Sequence, residues 1–184
     1  GRLHQAAAEA TGLAAGTPVI VGSGDSTAEA ISTGVIRPGD VMMQFGSSIF
    51  IYCCTEHMIQ DDRVRGNNFT IPGTFSVAAG TNNCGTAIDW YRDNFYSELA
   101  AAAEKGGENV YEVMMRQVAD IPIGSEGLIT LPYLAGERTP INDPEARGVV
   151  LGLRSYHTKN HIYHSLLEGI AFSAAQHIDI LKEH

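Results

Sequence analysis

The sequence has few cysteines, few basic residues and no long apolar run. Its three cysteines, Cys53, Cys54 and Cys84, are odd in number and lack a Cys-x-x-Cys spacing, so we expect reduced thiols in a cytoplasmic protein rather than a disulfide framework. Twelve basic residues against 21 acidic ones give a net charge of -9, which disfavours nucleic acid as a partner. No apolar run approaches the roughly 18 to 20 residues of a membrane span, so no membrane partner is expected.

The chain begins without a methionine or a signal peptide, which suggests that it is cut from a larger protein. Of its 184 residues, 44% are hydrophobic, enough to form a packed core. This length predicts one domain, or one domain and a piece of another.

Short apolar runs alternate with segments of helical spacing, which predicts an α/β protein. The predicted strands are 18–22, a hairpin over 41–54, and the segments 74–79, 128–134 and 148–153. The predicted helices are 5–10 closed by Gly12, then 26–34, 85–104, 109–119 and the segment from 158 to the end. The polar segment 55–68 is predicted to be a loop.

Three glycine-containing turns follow or interrupt predicted strands: Gly22–Asp25, Gly46–Ser48 and Gly80–Gly85. Glycine at a strand end lets backbone amides approach a ligand, and a ring of such N–H groups makes a concavity for anions. Taken singly, each glycine is explained as well by a simple turn of the chain.

Asp25 lies where a strand–turn–helix segment opens, at the carboxyl end of the strand, where α/β proteins bind ligands. A carboxylate in this position can accept the proton of a substrate hydroxyl. It can equally serve only as the N-cap of the helix over 26–34. The local pattern leaves both roles open.

Several segments occur together in one order. They are Pro18–Asp25, Gly46-Ser47-Ser48, Gly85–Trp90, Leu131–Pro140 with its Gly-Glu-Arg-Thr-Pro run, Asp143–Gly148, and the segment from Gly152 to Glu168. In this order and spacing, which covers nearly the whole chain, they resemble the FGGY family of carbohydrate kinases. The last segment departs from the family's signature at Leu166, where a smaller or β-branched residue is usual.

The resemblance implies an incomplete ribonuclease-H-like (actin-type ATPase) fold. Residues 1–38 would end the N-terminal kinase domain and residues 39–184 would form the first part of the C-terminal one. Asp25 would be the general base and touch the sugar, while Gly46, Ser47 and Gly85 would hold the phosphates of ATP. Mg²⁺ would bridge those phosphates, with no metal ligand assigned in this chain. The Gly-Glu-Arg loop resembles xylulokinases best, although gluconate, ribulose, glycerol and quorum-signal kinases remain alternatives.

The family's adenine-binding turn lies beyond the last helix, so the chain alone is expected to be inactive and to expose apolar patches that favour a homo-oligomer. The alternative is a non-catalytic actin-type module that binds nucleotide or a protein partner.

The remaining polar and aromatic residues are given structural roles. The histidines show no metal spacing and are interpreted as surface residues, and Trp90 and Tyr91 are interpreted as core residues. Glu137 and Arg138 could be catalytic, but a buried or interdomain ion pair that holds their loop is the favoured interpretation. Asp89 replaces a polar residue that can lie near nucleotide in relatives, and its role stays open.

Overall fold

A computed structural model describes all of residues 1–184, with six α-helices and six β-strands. The helices are α1 Gln5–Thr11, α2 Asp25–Ser32, α3 Gly85–Phe95, α4 Ser97–Gly106, α5 Val110–Val118 and α6 Lys159–Lys182. The strands are β1 Val41–Phe45, β2 Ile49–Thr55, β3 Arg65–Asn68, β4 Phe75–Thr81, β5 Ile129–Leu131 and β6 Val149–Leu151. None of the helices is both long and apolar enough to span a bilayer.

Four strands form one antiparallel sheet in the order β1-β2-β4-β3, and β5 pairs with β6 in a separate two-stranded sheet. The predicted hairpin over 41–54 is confirmed, with Phe45 opposite Ile49 at its turn. Because side chains alternate along a strand, Ile49 and Ile51 point to one face of the larger sheet and Phe50 and Tyr52 to the other. We call these the inner face and the outer face.

The inner face carries the main hydrophobic core, formed with helices α3, α5 and α6. Thirteen buried residues make up this cluster. Among them, Tyr91 stacks on Tyr163 at a centroid distance of 5.2 Å, and Tyr96 meets both rings edge-on. Burial raises the pKa of Tyr163 to about 12, so this ring stays neutral at ordinary pH. Three helices and an aromatic cluster therefore fix the sheet from this side.

The outer face is covered by α2 over only part of its area. Ala30 and Val35 pack with Met42, Tyr52, Cys54 and Phe69 in a smaller cluster of six buried residues. The Tyr52 hydroxyl lies 3.0 Å from Thr27 Oγ1 and donates to Ser76 Oγ at 2.8 Å. This chain of hydrogen bonds fixes the first turn of α2 above β2 and β4.

Helix α6 lies against β5 at a close backbone contact. A Cβ atom added to Gly169 would lie 2.2 Å from the Thr130 carbonyl oxygen, so only glycine permits this approach. Thr130 and Ser165 also share a buried hydrogen bond of 2.6 Å. The small residues of α6 thus bring the second sheet onto the main core.

The predicted buried strand over 18–22 is wrong. Pro18 pairs with Arg2 only in an isolated bridge, and Ile20 and Val21 are 88% and 98% exposed. A strand needs a neighbouring strand to satisfy its N–H and C=O groups, and no strand of this chain lies beside these residues.

Two other predictions of secondary structure need correction. The polar segment 55–68 contains an edge strand, β3, since β4 offers it a free edge. The predicted helix 85–104 is broken at Tyr96, which leaves helical geometry to bury its ring in the core.

Two predictions of side-chain burial are also wrong. Trp90 is 45% exposed, whereas Tyr91 is buried as predicted. His177 is completely buried, with Nδ1 bonded to the Ser173 carbonyl, because its position on α6 faces the sheet.

Candidate functional site

The loop of the β1–β2 hairpin, Gly46-Ser47-Ser48, rests on the N-terminus of α3. The Gly85 amide donates to the Gly46 carbonyl at 2.9 Å. The Ser47 carbonyl accepts from the amides of Cys84 and Thr86, each at 3.2 Å, and from Thr86 Oγ1 at 3.0 Å. The first N–H groups of a helix normally lack hydrogen-bond acceptors within the helix. Here two carbonyl groups of the loop act as those acceptors.

This docking leaves the loop's own donors free. The amides of Ser47 and Ser48 and the Ser47 hydroxyl form no hydrogen bond within the protein, whereas the Gly46 amide donates to the Ser48 carbonyl. Ser47 is exposed. Free, neighbouring amides in a turn beside a helix N-terminus are a suitable arrangement for binding an anion.

Gly85 is needed at the base of this loop for steric reasons. A Cβ atom at position 85 would lie 2.7 Å from the Gly46 carbonyl oxygen, whereas one at position 46 would meet only the Ser48 carbonyl, at 3.9 Å. The structure therefore brings the predicted residues Gly46, Ser47 and Gly85 together. Because the Gly85 amide is already bonded, Gly85 contributes close packing rather than a free donor.

A groove of about 330 Å³ runs from Ser47 and Gly85 between helices α3, α5 and α6. It is lined further by Ile88, Asp89, Tyr111, Met115, Tyr163 and Leu167. Asp89 Oδ1 accepts from the Tyr111 hydroxyl at 2.6 Å and from Arg92 Nη1 at 2.8 Å. The hydrogen bond to Asp89 raises the pKa of Tyr111. Asp89 is thus held on the wall of the groove by two neighbours.

Asp25 is the first residue of α2, and Gly24 is the N-cap, so the interpretation of Asp25 as N-cap is wrong. Its Oδ1 accepts from the Ser26 amide at 2.7 Å, while Oδ2 has no partner and the side chain is exposed. Asp25 forms no hydrogen bond to the hairpin loop. The structure places it on the outer face of the sheet, on the helix fixed through Thr27 and Tyr52.

The loop after β5 docks on the turn that follows β4. Thr81 Oγ1 donates to Glu137 Oε2 at 2.7 Å, and the Arg138 amide donates to Oε1 at 2.7 Å. Asn83 Nδ2 donates to the Gly136 carbonyl, also at 2.7 Å. The expected Glu137–Arg138 ion pair is therefore wrong: the buried carboxylate is held by a hydroxyl and an amide, and the Arg138 guanidinium points elsewhere.

A second cleft, of about 380 Å³, opens on the outer face and was not predicted from the sequence. Phe50 and Gly80 form its floor, and Arg65 and Arg138 stand on its walls. Arg138 Nη2 donates to the Thr81 carbonyl at 3.2 Å. Arg65 lies in the segment interpreted as a loop, so no sequence pattern marked it. Nowhere in the chain do three His, Cys, Asp or Glu side chains form a group that could hold a metal ion.

A family model described as the C-terminal domain of the FGGY family of carbohydrate kinases matches residues 41–184. The chain belongs to this family. The predicted resemblance to this family is thereby confirmed. The family's structures have the actin-like ATPase fold, of which this chain forms a part.

Among curated proteins, the chain is 30% identical to the xylulose kinase of Bacillus subtilis (strain 168) over 185 residues, covering 100% of this chain and 35% of that protein. It is 30% identical to the gluconokinase of the same organism over 158 residues, or 85% of this chain and 31% of that protein. Among solved structures, xylulose kinase from Rhodospirillum rubrum superposes with a TM-score of 0.80 at 31% identity, covering 100% of this chain and 35% of that one. The chain thus spans about a third of the length of these FGGY kinases.

Proposed function

We propose that the full-length protein transfers the γ-phosphoryl group of ATP to a hydroxyl of a small sugar or polyol, with Asp25 as the general base. The observation that carries this proposal is the unpartnered Oδ2 of Asp25, exposed at the start of a helix that is itself fixed to the sheet. A free carboxylate on a rigid element can take the hydroxyl proton as the oxygen attacks phosphorus. Family membership supports the reaction class.

In this proposal the hairpin loop binds the nucleotide phosphates. The free amides of Ser47 and Ser48 and the Ser47 hydroxyl would donate to phosphate oxygens. Gly46 would let the chain approach these oxygens, and Gly85 would hold the loop against α3. The groove beyond Gly85 would take the nucleoside, with its apolar wall formed by Ile88 and Leu167. Phosphoryl transfer passes through a loose transition state, so this positioning would supply much of the catalysis.

These residues could bind Mg²⁺ only together with the nucleotide phosphates. The chain offers isolated carboxylates such as Asp25 rather than a closed cage, and Mg²⁺ usually keeps several waters and binds through one or two carboxylates and the phosphates. When bound, it would neutralise charge on the β- and γ-phosphates. No step assigned to this chain's residues depends on a protein metal ligand.

The domain division at residues 38 and 39 belongs to the same proposal. The end of the first kinase domain would supply Asp25, and the start of the second would supply the phosphate loop. The 184 residues alone would not phosphorylate a sugar. Phosphoryl transfer requires both substrates to be held a few ångströms apart, which needs both walls of the active-site cleft. Light scattering at several concentrations tests whether the isolated chain forms a homo-oligomer.

A coupled ADP-release assay on the full-length protein with pentuloses, hexonates and glycerol tests the proposal. We expect ADP release that depends on one of these sugars and on Mg²⁺. The other candidate is a non-catalytic actin-type nucleotide-binding module, which the free amides of the hairpin loop would serve equally well. ATP binding without sugar-dependent ADP release would support that module and contradict the kinase.

A further inference from the structure

The cleft on the outer face adjoins both parts of the proposed active site. Tyr52, whose hydroxyl bonds Thr27 of the Asp25 helix at 3.0 Å, has its ring 6.0 Å from that of Phe50. Phe50 forms the floor of the cleft and lies two residues beyond the hairpin loop. The cleft therefore lies on the same face of the sheet as the Asp25 helix, and its residue Phe50 is close in sequence to the proposed phosphate loop.

Two arginines converge on this cleft from different segments. Arg65 lies opposite Ala78 in the β3–β4 pairing. Arg138 lies over Gly80, with Nη2 at 3.0 Å from where a Cβ atom of Gly80 would be. Ala78 and Gly80 are two residues apart on β4 and so about 7 Å apart along the strand. Both guanidinium groups can therefore reach one small ligand.

Neither arginine is paired with a carboxylate. The third arginine of the cleft, Arg63, is different, because it forms ion pairs with Asp61 and Glu183. Asp62 is the one acidic residue lining the cleft, and it forms no ion pair; its carbonyl accepts from Asn142 Nδ2 at 2.9 Å. The cleft is thus locally basic in a chain of net charge -9.

Arg138 is held in place by one side-chain hydrogen bond and keeps other guanidinium donors free. Its Nη2 donates to the Thr81 carbonyl at 3.2 Å, and no other N–H of its guanidinium group forms a hydrogen bond. Arg65 is exposed, and its guanidinium group donates no hydrogen bond within the protein. The planar guanidinium presents donors in a fork that matches a carboxylate. The ring of Phe50, opposite Gly80 on the neighbouring strand, also lines the cleft and can contact the carbon chain of a sugar.

We propose that this cleft binds a carboxylate on the sugar substrate, through Arg65 and Arg138, so that the substrate is a sugar acid. The inference rests on the proposed kinase function and specifies its substrate class. The phosphate of the product would form at the hairpin loop, so the anion recognised in the cleft belongs to the far end of the substrate. Charge is the basis of selection, since the rest of the acidic chain repels such a molecule.

The test compares full-length wild type with Arg65→Met, using a six-carbon aldonate and a neutral ketose as substrates. We expect the wild type to favour the aldonate, and Arg65→Met to raise the KM for the aldonate at least about 10-fold, the effect of a lost charge-assisted hydrogen bond. Its kcat and its KM for ATP should change less than about 2-fold, because the substitution touches neither the base nor the phosphate loop. Arg65→Lys should restore part of the affinity.

Arg147→Met is the matched control, because Arg147 is an exposed arginine outside the cleft that pairs with Glu145; its KM values should stay at wild-type level. Phosphorylation of the ketose but not the aldonate would overturn the sugar-acid inference and leave the kinase function standing. An unchanged KM in Arg65→Met would overturn the role of the cleft. If no sugar of either class is phosphorylated, the proposed function itself fails.

Discussion

The two faces of the four-stranded sheet differ in what covers them. Helices α3, α5 and α6 cover the inner face, where 13 buried residues form one cluster. On the outer face α2 contributes Ala30 to a cluster of six buried residues, and the remaining area is a cleft with three arginines on its walls. The inner face therefore contributes most of the burial that stabilises the domain, and the outer face keeps polar groups available.

The hairpin loop lies at the edge where these two faces meet. Its carbonyls bind α3 on the inner side, while its free amides stay exposed. If this loop binds phosphate as proposed, its fixed position means that little ordering is needed when the ligand arrives, which lowers the entropic cost of binding. Substitutions on the inner face should thus reduce stability, and substitutions on the outer face or in the loop should reduce activity or binding.

The largest effect is expected for Asp25→Asn in the full-length protein. Loss of a general base lowers the rate about 10² to 10⁴-fold, or about 3 to 5 kcal/mol in activation free energy. Folding and ATP affinity should stay nearly unchanged, since the exposed side chain bonds only to Ser26 within α2. Steady-state kinetics measures this, with Glu29→Gln as control because Glu29 is exposed one turn further along α2. More than half of wild-type turnover in Asp25→Asn would remove Asp25 from the base role.

On the inner face, Met114→Ala should lower the free energy of unfolding by about 2 to 5 kcal/mol. Met114 is fully buried in the main cluster, so truncation leaves a cavity. Urea denaturation of the chain measures the change. The neighbouring Met115 is 50% exposed, and Met115→Ala should change stability by no more than about 0.5 kcal/mol. Equal losses in the two variants would contradict the assignment of Met114 to the core.

The contact between the loop and α3 is tested by Gly85→Ala. The new Cβ atom would lie 2.7 Å from the Gly46 carbonyl, and such overpacking destabilises by about 1 to 3 kcal/mol. Gly46→Ala is the matched control. Its Cβ atom would have open space, so the free energy of unfolding, measured by thermal denaturation, should change by less than about 1 kcal/mol. A Gly85→Ala protein as stable as Gly46→Ala would show that the loop is not fixed through this contact.

The smallest effect is expected for Ser47→Ala. Removing one hydroxyl donor should weaken ATP by about 0.5 to 1.5 kcal/mol and leave sugar affinity unchanged, since only the nucleotide phosphates are proposed to reach it. Calorimetric titration of the full-length protein with ATP and with sugar, in separate experiments, distinguishes the two. An equal loss for both ligands would count against the phosphate role of the hairpin loop.

Local pattern predicted much of the fold. The hairpin around Gly46, the helix after Asp25 and the long helix α6 are confirmed, because their periodicity and turn residues act over short distances. The strand predicted over 18–22 is wrong because strand formation depends on a distant pairing partner. The apolar composition of this segment favours a strand but does not reveal whether such a partner exists. The break at Tyr96 likewise follows from burial of its ring in the core rather than from any local breaker.

Short contiguous motifs place Asp25 at a helix start and Gly46 and Ser47 in one hairpin turn, and the order of several such motifs along the chain identifies the family. The contact between Gly46 and Gly85 became visible only in the folded chain, as did the bonding of Glu137 to Thr81 and a backbone amide rather than to an arginine side chain. The tertiary structure also decided that Arg65 and Arg138, 73 residues apart in the chain, share one cleft. Such contacts join distant segments, and long-range packing selects them among many local alternatives.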